Sequence, residues 1–414
     1  MPTLPAALSA AGYDTYSVGK LHLTCGLAEA DSGHGESFAA WREGALTADW
    51  QGPYYGFDRV ELTLGHADFP LQPWAGHYGY WLREHHPEVF EMTGVERAPE
   101  PKWSDCYRSP VPPEAYHSSY IATRIIDYLR SRDGSGPFFI FGGFPDPHHN
   151  FVAVEAYARQ FDRAAFPPPR AREGEHAERP GFYARIADDG LFECDGNCRR
   201  PPGGEHMRHI LQNTYAMVSL IDHNVGRVLD EINRLGLSRE TIVCFTSDHG
   251  DFLGDHGLLH KGQVPFASLM RVPFLLRAPG IPPGALDAPI GNADVMPTLM
   301  ELAGLEAPQT CQGLSQAAVF RRERTQVQEA AYSCGWAKNF PHLRHMSLHS
   351  PTHRITWWPR LAEGELYDLT RDPDEFENRW RDPGYAETRD RLMRSLLDRN
   401  AYAGPVETRI LCPW

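Results

Sequence analysis

The stretch Thr241-Ile242-Val243-Cys244-Phe245-Thr246-Ser247-Asp248-His249-Gly250-Asp251 decides the fold. Thr241 to Thr246 is β-branched and apolar, and it reads as a short buried strand. At its carboxyl end it delivers Asp248 and His249 from one turn, where ligands sit in open α/β sheets. A carboxylate beside an imidazole suits a divalent ion of hard to intermediate character, and Asp251, Asp255 and His256 crowd the residues that follow. One loop cannot fill a coordination sphere. The other reading is an Asp that caps a turn beside a His that is simply polar surface.

Upstream of that strand, Met207, Ile210, Leu211, Tyr215, Val218, Ile221, Val225, Val228, Leu229, Ile232 and Leu235 predict one apolar helix face over about eight turns. Gly236 supplies its stop. The same order of helix, strand and polar loop occurs earlier. Thr3 caps a short helix ending at Gly12, and Tyr13 to Val18 reads as a strand entering Gly19-Lys20-Leu21-His22. A helix from Pro113 carries Ile121, Ile125, Tyr128 and Leu129, and the strand Phe138 to Phe141 follows it into Pro145-Asp146-Pro147-His148-His149. Downstream, Val272 to Leu276 reads as a strand, and a helix from Asp294 to Leu302 is closed by Gly304. The pattern predicts an α/β fold, a large and mostly parallel sheet flanked by helices.

Lys20 and His22 bracket Leu21, so in an extended segment both point to one side, as two donors to one oxyanion require. Lys261, in His260-Lys261-Gly262, and His148 are further donors beyond strand ends. Aimed at one point, these loops would build a pocket for a compact tetrahedral anion, with a metal to neutralise it. No Walker loop, G-x-S-x-G elbow or H-E-x-x-H helix occurs.

Forty basic and 54 acidic residues among 414 give a net charge of −14, with no basic run, which argues against a nucleic-acid partner. Apolar runs fall short of a membrane span, and the first residues lack the regions of a signal peptide, so the chain as written is expected in the cytoplasm. Eight cysteines are too few for a disulfide scaffold; Cys244 reads as a buried thiol, and Cys194 with Cys198 forms a C-x3-C pair without a matching second pair. Residues 25–112 and 145–205 read as long excursions, whose Trp41, Trp50, Trp74, Trp81, Tyr54, Tyr55 and Tyr78 either stack on a leaving group or pack the loop down. After residue 320 the character changes. A hairpin around Glu363-Gly364, from Arg354–Trp358 and Glu365–Leu369, and a helix bearing Leu392, Leu396 and Leu397 predict a smaller α+β subdomain over 321–414, beside a main domain of 1–320.

Phe245 through Gly257 resembles the metal-binding segment of the sulfatases, in the alkaline-phosphatase-like superfamily. Ala11-Gly12-Tyr13 through Gly19-Lys20-Leu21-His22-Leu23 resembles that family's second signature. Arg271-Val272-Pro273, Asp294-Val295-Met296-Pro297-Thr298-Leu299 and Glu365-Leu366-Tyr367-Asp368-Leu369 match in the family's order. The resemblance implies that Lys20, His22, His148 and Lys261 contact the sulfate group or the nucleophile, and that Asp248 and His249 ligate a divalent metal, Ca2+ ahead of Mn2+ or Mg2+. It implies a small sulfated substrate, or a phosphorylated one, because His249 stands where many sulfatases have Asn, as in phosphonate monoester hydrolases and phosphodiesterases. A non-catalytic anion-binding homologue is the alternative outside enzymes, and a homo-oligomer is compatible with the pattern. The family's C-x-P-x-R or S-x-P-x-R segment, which yields the formylglycine nucleophile, does not occur in these residues. It is therefore expected upstream of Met1, and the 414 residues alone are expected to hold an anion without turning over aryl sulfates.

Overall fold

The computed structural model describes residues 2–65, 75–93, 103, 105–134, 136–183, 198–337 and 340–402. Its chain divides into two compact units, one built mainly from Met1–Phe166 and Gly203–Ser238, the other from Pro167–Pro202 and Arg239–Thr408. The boundary expected at 320/321 falls inside the second unit.

In the first unit Thr3 caps helix α1 (Leu4–Ala10), its hydroxyl accepting from Ala6 N–H as the sequence predicts. Strands β1 (Asp14–Gly19), β2 (Arg59–Leu62) and β4 (Phe138–Gly143) form a parallel sheet in the order β2-β1-β4. β1 lies between the other two and is buried on both faces, with Thr15, Tyr16, Ser17 and Val18 fully covered. Helix α2 (His117–Ser131) packs Ile121, Ile125, Tyr128 and Leu129, the residues chosen from their spacing. The buried Glu61 carboxylate of β2 takes hydrogen bonds from the Tyr16 and Tyr120 hydroxyls at 2.9 and 3.0 Å and from Arg124 Nε at 2.7 Å, fastening α2 to the sheet.

The long helix is α3 (Gly204–Arg234). Its buried stripe runs through Ile210, Asn213, Met217, Leu220 and Asn224, whereas Tyr215 and Val218, expected on the covered face, are 44% and 49% exposed. The reason is polar: Asn213 turns inward because its amide donates at 2.9 Å to the carbonyls of Tyr107 and Phe151, on the parallel pair β3 (Cys106–Ser109) and β5 (Phe151–Val154). In the loops, Trp41, Tyr54 and Phe57 pack with Val60 and Leu62, and Tyr78 stacks with Trp81; these aromatics hold the excursion down. Tyr55 stays 43% exposed, and Trp74 and Cys194 lie outside the described residues.

In the second unit β6 (Cys198–Arg199) pairs with β8 (Leu259–His260), and β7 (Val243–Thr246) with β9 (Phe274–Arg277), both antiparallel. The β7–β9 pair thus departs from the parallel expectation. Helix α4 (Val295–Leu302) follows. Strands β10 (Ala331–Ala337), β11 (Phe340–His349), β12 (His353–Trp358) and β13 (Glu363–Asp368) form a four-stranded antiparallel meander, against which helix α5 (Ala386–Tyr402) buries Leu392 and Leu396. Leu397 points away, at 51% exposure. The predicted hairpin is real but its turn is displaced: Trp358 pairs with Glu363, so residues 359–362 turn and Glu363-Gly364 are already strand. Ala362, at φ 51°, takes the left-handed position of the turn. Among the described residues no helix is long and apolar enough to cross a membrane.

Candidate functional site

β1 and β4 end together, Gly19 opposite Gly143, and their approach is as close as backbone allows. Lys20 N–H donates to Gly143 O at 2.8 Å, and a Cβ on Gly19, which has φ 105°, would lie 2.2 Å from that same oxygen. Only glycine fits there. Lys20 and the loop carrying His148 therefore leave the same end of the sheet from neighbouring strands. The strand does not continue through His22, which has φ 60°, so the extended segment expected to aim Lys20 and His22 to one side is not formed. What shapes this turn is Glu36. Its buried carboxylate accepts from the backbone N–H of His22, from Leu23 at 2.6 Å and from Thr24 at 2.7 Å, with the Tyr54 hydroxyl at 3.3 Å. The His148 ring lies 4.0 Å from that of His149, and its Nδ1 is hydrogen bonded to the His149 carbonyl.

In the second unit Asp248, His249 and Lys261 are in mutual reach. His249 Nδ1 lies 2.7 Å from Gly250 O, so it carries the proton and donates, leaving the Nε2 lone pair outward. Lys261 Nζ sits 3.1 Å from Nε2 and Asp248 Oδ2 sits 3.4 Å from it. Partial desolvation pushes the Asp248 carboxyl up, but His249, its N–H and the Lys261 ammonium outweigh it and hold the group below its ordinary value. Desolvation lowers the Lys261 pKa, against the pull of Asp248 and Asp251. The Asp248 side chain is 84% exposed, open to a ligand.

The supports of this loop come from afar. Asn292 donates to Ser247 O at 3.0 Å and Asp248 O at 3.2 Å. Gly250 has no room for a side chain, since a Cβ would lie 2.1 Å from Ser268 O. Asp251 accepts from Leu253 N–H at 2.9 Å and His260 N–H at 3.0 Å, folding the loop back on itself, and burial pushes its pKa up to about 6. His256, at φ 56°, stacks on Phe266 and places Nδ1 3.0 Å from the Glu175 carboxylate, whose Oε1 also accepts from Arg179 Nη1 at 2.9 Å.

The six predicted residues thus lie as two groups of three. Lys20, His22 and His148 belong to strand-end loops of the first unit; Asp248, His249 and Lys261 form a contacting cluster in the second. Sequence reading missed Glu36, Asn292 and Glu175, each a lone polar residue in a loop with no spacing to mark it. Burial pushes the Cys198 thiol up to about 12 and the Cys244 thiol up to about 11, which makes both packing residues rather than nucleophiles.

Asp248 and His249 fit two places in the sphere of a divalent ion, with an exposed carboxylate and an imidazole whose other nitrogen is engaged by a carbonyl. Among the described residues no third acidic, His or Cys ligand joins them.

Residues 1–305 match the family model described as Sulfatase, and residues 254–401 match that of the C-terminal region of N-sulphoglucosamine sulphohydrolase. Among curated relatives, an arylsulfatase of Clostridium perfringens is 28% identical over 293 residues, which are 68% of this chain and 57% of that one. An N-acetylglucosamine-6-O-sulfatase of Bacteroides thetaiotaomicron is 32% identical, over 68% of this chain and 61% of its own. The chain therefore spans somewhat over half the length of these relatives. In fold it is similar to a phosphonate monoester hydrolase of Agrobacterium radiobacter, with a TM-score of 0.74 at 24% identity, covering 97% of this chain and 80% of that one.

Proposed function

The chain belongs to the sulfatase family, and from that membership we propose that the protein hydrolyses a sulfate monoester of a small aryl or sugar alcohol. The supporting observation is the Lys261–His249–Asp248 cluster at the end of β7, an ammonium 3.1 Å from an imidazole that a carboxylate flanks. The alcohol class follows the arylsulfatase and N-acetylglucosamine-6-O-sulfatase relatives.

Family members work with a divalent metal and a formylglycine nucleophile. In this chain Asp248 and His249 Nε2 would hold the metal once Lys261 Nζ, 3.1 Å from Nε2, turns away towards the substrate, with Ca2+ first and Mn2+ or Mg2+ next, and the bound ion would supply positive charge against sulfate oxygens. Lys261, weakened as an ammonium by desolvation, donates to a sulfate oxygen and regains full charge stabilisation as that oxygen becomes more negative. The Nδ1–H to Gly250 O bond keeps the His249 ring from turning. Lys20, His22 and His148 are assigned to the same anion by the family resemblance. No C-x-P-x-R segment occurs in residues 1–414, so the roles of all six residues are binding and charge stabilisation.

The test is turnover by the full protein of nitrophenyl sulfate and a glucosamine sulfate beside a phosphonate monoester. Sulfate hydrolysis is expected, falling about 100-fold or more in Lys261→Ala. An unchanged rate in that variant, or preference for the phosphonate, would overturn the reading.

A further inference from the structure

A cavity of about 310 Å³ opens in the second unit, between the turn joining β11 to β12 and helix α5. That volume lies at the small end of sites for organic ligands. Its apolar wall includes Leu348 and Leu392, themselves buried, and Leu314, which stays 38% exposed.

The polar lining is one-sided in charge. Arg391, Ser395 and Arg399 stand four residues apart on α5, hence along one face of the helix and about 12 Å from end to end. His353, first residue of β12, also lines the cavity. Glu329 is the single carboxylate-bearing residue of the lining. The arginines of α5 differ in how they are satisfied. Arg389 donates to Trp380 O at 2.8 Å and pairs with Asp390, and Arg399 donates to Gln312 O at 3.3 Å. The Arg391 guanidinium has no hydrogen bond or ion pair among the described residues; burial, joined by the Arg391 charge and opposed by Asp368, holds His353 below the usual imidazole value. An exposed guanidinium without a carboxylate partner, beside a second cation and a leucine wall, can pair bidentately with an acid group.

We propose that this cavity binds a small amphipathic organic anion, its acid group taken by Arg391 and its apolar body laid against Leu348 and Leu392. The shared chemistry is a sulfate, sulfonate or carboxylate on an apolar frame. The site uses none of Asp248, His249 and Lys261, so it stands or falls apart from the sulfatase reading.

The experiment is fluorescence titration of the whole chain with anilinonaphthalene sulfonate and, separately, with the uncharged dye Nile red. Saturable binding of the sulfonate is expected, about tenfold weaker in Arg391→Ala and partly restored in Arg391→Lys, with Nile red binding unaltered by either. Lys261→Ala should leave the sulfonate affinity unchanged. Arg391 lies on the exposed side of its helix, so its replacement leaves the core intact. Equal sulfonate affinity in wild type and Arg391→Ala overturns the proposal, and so does an equal loss of both dyes, which would make the arginine a packing element.

Discussion

The loop after β1 and the loop after β7 both present candidate site residues, and they are held by different means. Residues 22–24 hand three consecutive backbone N–H groups to one buried carboxylate, Glu36, after a strand end so tight that two glycines are required. Residues 247–261 are held by side chains: Asp251 from within, and Asn292 and the Glu175–His256 contact from outside. The first arrangement gathers backbone N–H groups on a single carboxylate. The second is a network of side chains that includes a buried ion pair, and that pair responds to acid.

The largest effect should come from Glu175→Gln. Arg179 and Glu175 are almost fully buried as a pair, and breaking such a pair costs about 3–5 kcal/mol. Burial raises the Glu175 pKa, but His256 and Arg179 more than offset it and hold it at about 2. With the folded value below the unfolded one, near 4.5, this stabilisation is complete above that pH and is lost as pH falls towards 2. Urea unfolding from pH 7 to acid should therefore show a steep acid limb in wild type and a flatter one in the variant. Equal limbs would remove the charge-held half of the comparison.

Gly19→Ala comes next, at about 3 kcal/mol, because the new Cβ would collide with Gly143 O while φ stays left-handed. Thermal melting measures it, and a loss below about 1 kcal/mol would mean that the strand ends part easily. Glu36→Ala should cost about 2 kcal/mol, since the N–H groups of His22 and Leu23, both on the surface, regain water, whereas that of buried Thr24 does not. Amide exchange should quicken at residues 22–24 and not at 247–261. The smallest effect is Asn292→Ala, about 1 kcal/mol for two carbonyls that solvent can serve. Its exchange signature should be the mirror image, confined to the loop after β7.

Much of the scaffold was legible because its signals are local. Thr3, Gly236 and the apolar runs at 138–141 and 241–246 act within a few residues, and the structure places helix and strand there with ends moved by one or two. The meander of β10 and β11, and the inward Asn213, were not legible. Their partners lie far along the chain, and a polar residue on a helix gives no sign of the two carbonyls awaiting it.

The sequence by itself determined the family, the α/β alternation and the identity of the candidate residues, because strand-end loops and adjacent Asp248-His249 are short-range facts. Only the tertiary structure decided which His249 nitrogen is outward, that Lys261 reaches it across twelve residues, that His22 leaves the extended conformation, and that Glu36, Asn292 and Glu175 do the holding. The contacts of Lys261, Glu36, Asn292 and Glu175 are hydrogen bonds between groups distant in sequence, and their strength depends on distances and desolvation that exist only once the chain has folded.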